Sequence, residues 1–256
     1  MADRRRSLTG GVLALYPLFL SVLLWEAAAR LGLVAPLFLP AFSVVVVQAA
    51  RLLVAGELFE PLWTSLFRAA GGFALALAVG VTLGLLMGRV KFVHWLLDPL
   101  VALVFPAPKI AFIPIFILWF GIDDWSKILL VAFTTIFPFI VAAYAGVRTV
   151  PVNQIWAARA MGETSEWGLL LRIILPAALP SLMSGVRVGV PVALLTTFTA
   201  EMVAGGGGLG GGEVMAERFF ESPTVFAYLL VMLVVGYAID GGVFAVRRRL
   251  LRWHEG

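Results

Sequence analysis

Enzymatic and metal chemistry need several reactive side chains that converge, and this 256-residue sequence supplies few of them. It contains no cysteine, which removes disulfides and thiolate metal sites. Its two histidines, His94 and His254, are scattered and offer no basis for a histidine-built metal or catalytic cluster. The run from Gly205 to Gly212, interrupted only by Leu209, resembles a phosphate-cradling loop in composition. It lacks the Lys-Ser/Thr that such a loop requires, and it reads as a flexible external loop. No catalytic residue and no metal ligand is therefore expected. What remains is a small set of charges within or beside apolar runs: Arg68, Lys109, Arg187 and Glu201. Such groups are costly in lipid and usually face a bundle interior or a water-filled path, so their chemistry is that of a conduit. Arg68 and Arg187 are read as snorkelling from near helix ends. Lys109 follows Pro106-Ala107-Pro108, where two prolines remove backbone donors, and a helix broken there is tolerated only if buried in protein or lining a cavity. Pro108 and Lys109 are thus candidates for the pathway. Glu201 follows the threonine-rich stretch Thr196-Thr197-Phe198-Thr199. Two readings of Thr197 and Glu201 stay open, a pathway group and an interfacial acid hydrogen-bonded to a neighbouring helix.

The elements that must position these groups are membrane spans. Hydrophobic residues make up 61% of the chain and charged residues 13%, with a mean hydropathy of +1.01. A soluble domain of this length could not cover its surface with so few charges. Apolar runs of about the ~20 residues needed to cross a bilayer place spans at 10–29, 61–87, 95–120, 127–147, 176–203 and 224–246. The first follows Asp3-Arg4-Arg5-Arg6 and, having no convincing cleavage site, is read as an uncleaved span. Pro40 to Val54 is too short to cross and reads as an interfacial elbow helix. The chain divides accordingly into 1–60, the first span plus elbow, and 61–256, the core, with a cytoplasmic loop at 149–175. The expected class is an all-α polytopic membrane protein of about six transmembrane helices.

The net charge of +4 is distributed as topology requires. With the N-terminus inside, inner segments carry Arg4, Arg5, Arg6, Arg89, Lys91, Arg148, Arg159, Arg172, Arg247, Arg248, Arg249 and Arg252. Outer segments carry only Arg30, Arg51, Lys127 and Arg218. This bias places both termini in the cytoplasm. Asp98 and Asp240 fall near cytoplasmic ends, where pairing with Arg89 and with the Arg247 cluster is expected, and Glu26 reads as interfacial. Gly80, Gly84 and Gly88 recur at i, i+4 and form a close-packing stripe on the second span.

The polar stretch from Arg148 to Pro176 is the chemically richest loop. Asn153 is a candidate helix cap, Ala157, Ala158 and Ala160 favour helix, and Gly162 suits the left-handed conformation that ends one. A second short helix is expected from Thr164 or Ser165 to Ile174. Two short helices with small residues on one face make a docking knob for a partner protein.

Ala157-Ala158, Gly162 and Leu175-Pro176 resemble the Glu-Ala-Ala motif loop of bacterial binding-protein-dependent ABC importers. Flanking matches extend over nearly the whole chain: Ser65-Leu66-Phe67-Arg68, Leu97-Asp98-Pro99, Trp119-Phe120-Gly121, Gly185-Val186-Arg187, Ala200-Glu201-Met202 and Gly208-Leu209-Gly210. The ordered set resembles the permease subunits of the sulfonate, taurine and nitrate branch. Two departures stand out. Trp156 occupies the motif's acidic position, and the spacing from Gly162 to Pro176 is one residue longer, with the extra residue expected between the two short helices. The resemblance implies a type I importer permease in the cell inner membrane, working as a homodimer with ATP-binding cassette ATPase subunits and a periplasmic or lipid-anchored solute-binding protein. Trp156, Ala157, Ala158, Arg159, Met161 and Gly162 would couple to the ATPase. The chain itself would be no enzyme and hold no cofactor, since ATP and magnesium belong to the partner. Membrane lipid is its surround and nucleic acid no partner. The solute implied is a small anion or organic acid such as a sulfonate, taurine or nitrate. The alternative is a secondary transporter working without an ATPase, a class that often shows inverted repeats and midplane acids, neither of which is visible in the sequence.

Overall fold

The computed structural model describes the backbone of residues 2–251 and the side chains of residues 16–251. Asp3, Arg4, Arg5 and Arg6, as side chains, and Arg252, Trp253 and His254 lie outside the described residues. The chain is helical, with no strand among the described residues. In order the elements are α1 (Ala2–Arg30), α2 (Phe42–Val54), α3 (Phe59–Arg89), α4 (Lys91–Val104), α5 (Ile113–Phe120), α6 (Asp124–Arg148), α7 (Val152–Ala160), α8 (Glu166–Leu169), α9 (Leu175–Ala204), α10 (Gly208–Arg218) and α11 (Ser222–Leu250).

Among the described residues four helical stretches are long and apolar enough to cross a membrane: α3, α6, the rod Glu166–Ala204 and α11. The expected third span, 95–120, is not one straight helix. It is α4 and α5, bent by 96° about the short turn Lys109–Phe112, a pair long and apolar enough for a broken span or a re-entrant loop. Pro106 and Pro108 remove two backbone donors at the break, as their ring chemistry requires. The place expected for the first span is occupied by α1. At 13 residues, α2 is an elbow of about 20 Å, too short to cross.

Contacts group the chain into two compact units, Met1–Glu60 with Gly212–Leu233, and Pro61–Gly211 with Val234–Gly256. In the first, Glu26 does more than sit at an interface. Its carboxylate accepts from the backbone N–H of Ser43 (3.0 Å) and the Ser43 hydroxyl (2.9 Å), so it caps the start of α2, while Arg30 donates to it at 2.6 Å. Trp25 donates its ring N–H to the Pro40 carbonyl (2.9 Å), and the Gln48 amide donates to Thr224 (3.1 Å).

The second unit is built on close backbone approach. A Cβ added at Gly80 would lie 2.7 Å from the Ile136 carbonyl, one at Gly84 2.5 Å from the Ile140 carbonyl, and one at Gly88 2.6 Å from the Val147 side chain. The glycine stripe of α3 thus lets α6 lie against its backbone, the packing that small residues permit in a membrane. Helix α6 presents its other side to α9, where a Cβ at Gly185 would meet Ala142 at 2.6 Å and one at Gly146 would meet Ala178 at 2.8 Å. Leu85, Ala143, Val147, Val150, Ile174 and Leu182 fill the core between them. Gly84→Leu is expected to cost about 3 kcal/mol or more, because backbone rather than a movable side chain blocks the added atoms. Gly236→Ala, on α11 with open space around it, is expected to leave the melting midpoint unchanged or slightly raised. Thermal melts of the two detergent-purified variants check the contrast.

Candidate functional site

The polar loop between α6 and α9 forms a compact knob in the second unit. Pro151, not Asn153, is the residue before the first turn of α7, in extended conformation (φ −61°, ψ 133°). Proline at that position needs no backbone donor, and Asn153 sits exposed inside the first turn without a capping bond. At the other end Glu163 N–H donates to the Ala158 carbonyl (3.0 Å) and Gly162 N–H to Arg159 (3.1 Å). With Gly162 at φ +98° this is a Schellman closure, which needs a left-handed residue. Ser165 then caps α8, accepting from Gly168 N–H at 3.3 Å. The helix continues through a π-type turn at Leu170–Ile174 into α9. Such π turns are rare and occur mostly as single-turn bulges inside α-helices.

The knob exposes large apolar side chains among its polar ones. Trp156 is 66% exposed, Met161 81% and Trp167 70%, while Ala157 is exposed beside Trp156 and Ala158 is buried beneath. The two acids of the knob, Glu163 and Glu166, are held in ion pairs. Glu166 accepts from Arg159 (2.6 Å) and from Arg89 of α3, and Glu163 accepts from Arg172 (2.9 Å). Arg89 therefore pairs with the loop rather than with Asp98, which lies 3.9 Å from His94 instead.

A second polar cluster occupies the opposite end of α9. Glu201 has no exposed surface. It accepts from Ser65 Oγ (2.7 Å) and Arg68 Nη1 (2.8 Å), both on α3, and from Gly210 N–H (3.1 Å). Ser65 Oγ in turn accepts from Leu209 N–H at 2.8 Å. Glu201 and Ser65 thus satisfy the free amides at the start of α10, where the helix dipole favours an anion. Arg68, 3% exposed, spends its remaining donors on Asp124 Oδ1 (2.7 Å) and on the carbonyls of Gly206 (2.6 Å) and Gly207 (3.3 Å). Arg68 does not snorkel: it is the hub of a buried network. Lys127, counted above as an outer-loop charge, is buried below the same turn and donates to the Ile122 carbonyl at 2.6 Å.

The glycine run is correspondingly not an open loop. Gly205, Gly206, Gly207 and Gly208 all hold φ between +68° and +83°, and α10 begins at Gly208. Consecutive left-handed residues turn the chain so that two carbonyls meet Arg68, which L-residues with a Cβ would strain to do.

The four candidate pathway residues are not brought together. Thr197 is buried and its hydroxyl donates to the Ala193 carbonyl (2.9 Å). Lys109 donates to the Phe105 carbonyl (2.6 Å), closing the end of α4, and lies 5.1 Å from the Phe137 ring centre. Pro108 is exposed beside it. None of the bonds to Glu201 comes from this turn. Sequence reasoning did not join Ser65, Asp124 and the glycine carbonyls to Glu201. The available signals were Ser65 and Arg68 three apart on an apolar helix and a glycine run directly after a buried acid.

Apolar helices of membrane-crossing length, a bent helix pair and a compact polar loop between two long helices define a polytopic membrane protein. The family model for the binding-protein-dependent transport system inner membrane component matches residues 80–252. The chain is 35% identical over 234 residues to the putative aliphatic sulfonates transport permease protein SsuC of Bacillus subtilis, covering 91% of this chain and 84% of that protein. It is 35% identical over 244 residues to the taurine transport system permease protein TauC of Escherichia coli K12, covering 92% and 88%. Its fold is similar to a chain of the MetNI methionine ABC transporter in inward-facing conformations, with a TM-score of 0.66 at 17% identity, covering 75% of this chain and 95% of that one. The chain belongs to the family of binding-protein-dependent transport system inner membrane components, in the branch that includes the sulfonate and taurine permeases.

Proposed function

We propose that this chain forms, with a second copy of itself, the solute pathway of an ATP-driven importer, and that loop 149–175 docks on a cytoplasmic ATPase. The observation that carries this reading is the Schellman-closed turn holding Trp156, Met161 and Trp167 outward on an otherwise ion-paired knob. Large exposed apolar groups on a rigid support are the anchors that dominate protein interfaces. Trp156 supplies contact area where relatives of this kind offer an acid; Ala157, Ala158, Arg159, Met161 and Gly162 shape the rest of the face. Both termini lie in the cytoplasm on this reading, following the arginine distribution. A binding protein outside delivers the solute, a small anion or organic acid such as a sulfonate, taurine or nitrate, as the named relatives suggest. ATP and magnesium act in the partner.

The helical rod from Glu166 to Ala204 gives the coupling a mechanical form. At 39 residues it is about 58 Å long. One end is the knob and the other carries Glu201. Closure of the ATPase subunits draws the two knobs together, and the rod transmits that movement to the cluster that joins α9 to α3. Pro108 and Lys109 belong to the pathway because non-helical backbone at membrane depth is tolerated where it lines a cavity. Thr197 and Glu201, buried here, meet solute only when α9 swings from α3. Lys109→Ala is expected to change the rate and solute preference of uptake in vesicles; unchanged kinetics would remove Lys109 from the pathway.

Trp156→Ala tests the docking itself. It is expected to weaken ATPase association by about 2 kcal/mol or more while leaving the permease's own melting midpoint unchanged, since the ring is mostly exposed. Normal co-purification of the ATPase with this variant would count against the interface.

A further inference from the structure

One group of charges in the second unit shares a cleft without pairing among the described residues. Arg187, Asp240 and Arg247 line one cleft between α9 and α11, with a volume of about 180 Å³, together with Tyr237, Val243 and Phe244. None of the three forms a side-chain ion pair or hydrogen bond with another described residue. Among the described residues Asp240 makes no ion pair with the Arg247 cluster, and Arg187 is not at a helix end. It stands twelve residues inside α9, about 18 Å along the axis from Leu175. On α11, Tyr237, Asp240, Phe244 and Arg247 follow at i, i+3, i+7 and i+10, so they share one face and form a ladder from the arginine-rich end into the span.

Charges within apolar spans are costly unless paired or hydrated. Elsewhere in this unit the cost is met: Arg68 and Glu201 pair with each other and are completed by Asp124, Ser65, the Gly210 amide and the glycine carbonyls. An arginine, an aspartate and a second arginine left free around one small cleft are, by contrast, complementary to something not part of this chain. Group by group, two guanidiniums and one carboxylate are complementary to a molecule that carries an acid group and an amine. Guanidinium groups hold planar or tetrahedral oxyanions through two parallel N–H donors, and Asp240 between them offers an acceptor for an ammonium group. The volume lies below the ~300–1,000 Å³ of drug-sized ligand sites, which suits a molecule of few heavy atoms.

We infer that this cleft is a solute subsite inside the permease, which takes a small zwitterionic acid with its sulfonate or carboxylate on Arg187 and Arg247 and its amine on Asp240. The inference rests on the importer reading above and adds to it a site within the spans. The same oxyanion chemistry is available from a phospholipid phosphate.

The test uses the full chain with its ATPase in phosphatidylcholine nanodiscs, without binding protein, and measures equilibrium binding of taurine and of ethanesulfonate, which lacks the amine. Taurine is expected to bind saturably. Arg187→Gln is expected to weaken both probes about tenfold or more, and Asp240→Asn to weaken taurine about tenfold while leaving ethanesulfonate within about twofold. A merely structural role for Asp240 would move both probes alike, and that result overturns the site, as does absence of saturable binding. Phosphatidylglycerol in the disc is expected to leave taurine binding unchanged; suppression would assign the cleft to lipid and overturn the solute reading. ATP-driven uptake, measured on the same preparation with binding protein added, separates the two claims. Uptake without cleft binding sinks the subsite and spares the importer, whereas no uptake under any condition sinks the importer.

Discussion

Glu201→Ala is expected to lower the stability of the purified permease by about 3–5 kcal/mol, the range for stripping one partner from a buried ion pair. The size follows from what the substitution leaves behind. Arg68 is 3% exposed and cannot reach water for compensation. The Gly210 amide loses its acceptor, and Ser65 loses the carboxylate it donates to. Asp124 cannot replace Glu201, because it is half exposed and already engaged by the Nε side of the guanidinium. Arg68→Ala is expected to be as damaging, for it leaves Glu201 buried and charged and frees the Gly206 and Gly207 carbonyls. Removing both charges together, as in Arg68→Met with Glu201→Leu, is expected to cost clearly less than the two single losses added, since a buried pair is worth little against an apolar replacement. Melting midpoints of the three variants in detergent complete the cycle. Single variants within about 1 kcal/mol of the parent would show that the cluster holds nothing.

Gly162→Val is expected to separate ATP hydrolysis from uptake. The effect is conformational rather than steric crowding, because a Cβ at Gly162 would meet nothing within 4 Å. The obstacle is φ +98°, a backbone setting that costs a β-branched residue about 1–3 kcal/mol. The α7 closure would relax out of its left-handed turn, and the bonds from Gly162 to Arg159 and from Glu163 to Ala158 would be lost. Arg159 and Glu163 also anchor α8 through Glu166 and Arg172, so the knob would lose its fixed shape while the spans stay intact. Basal hydrolysis by the ATPase with uptake reduced about tenfold or more is the expected signature. Normal coupling would remove the loop from its assigned role.

How much of this could be read in advance follows from range. Features set by neighbours in the chain were legible. The hydropathy runs located the crossings, the i, i+4 glycines announced the backbone contact of α3 with α6, and Gly162 and Ser165 marked the helix end and cap in the loop. Features set across the chain were not. Glu201 finds its partners 133 and 136 positions away, and nothing local distinguishes a buried pair from a snorkelling arginine. The same holds for Asp124, for Lys127 under the glycine turn, and for Arg89 choosing Glu166 over Asp98. The prolines announced a break near Lys109 but not the 96° bend, whose angle depends on where α5 finds its neighbours on α6 and α9. The glycine run failed as a loop for a related reason. Its composition permits flexibility, and the Arg68 donors remove it.

Solute is expected to move through this subunit only when its cytoplasmic knob is driven by an ATPase. Uptake of taurine into proteoliposomes containing the permease, its ATPase and its binding protein tests that most directly. Accumulation is expected to require ATP on the cytoplasmic side, to disappear without the ATPase and to fall sharply in Trp156→Ala. Accumulation by the permease alone, driven by an ion gradient and indifferent to ATP, would contradict it.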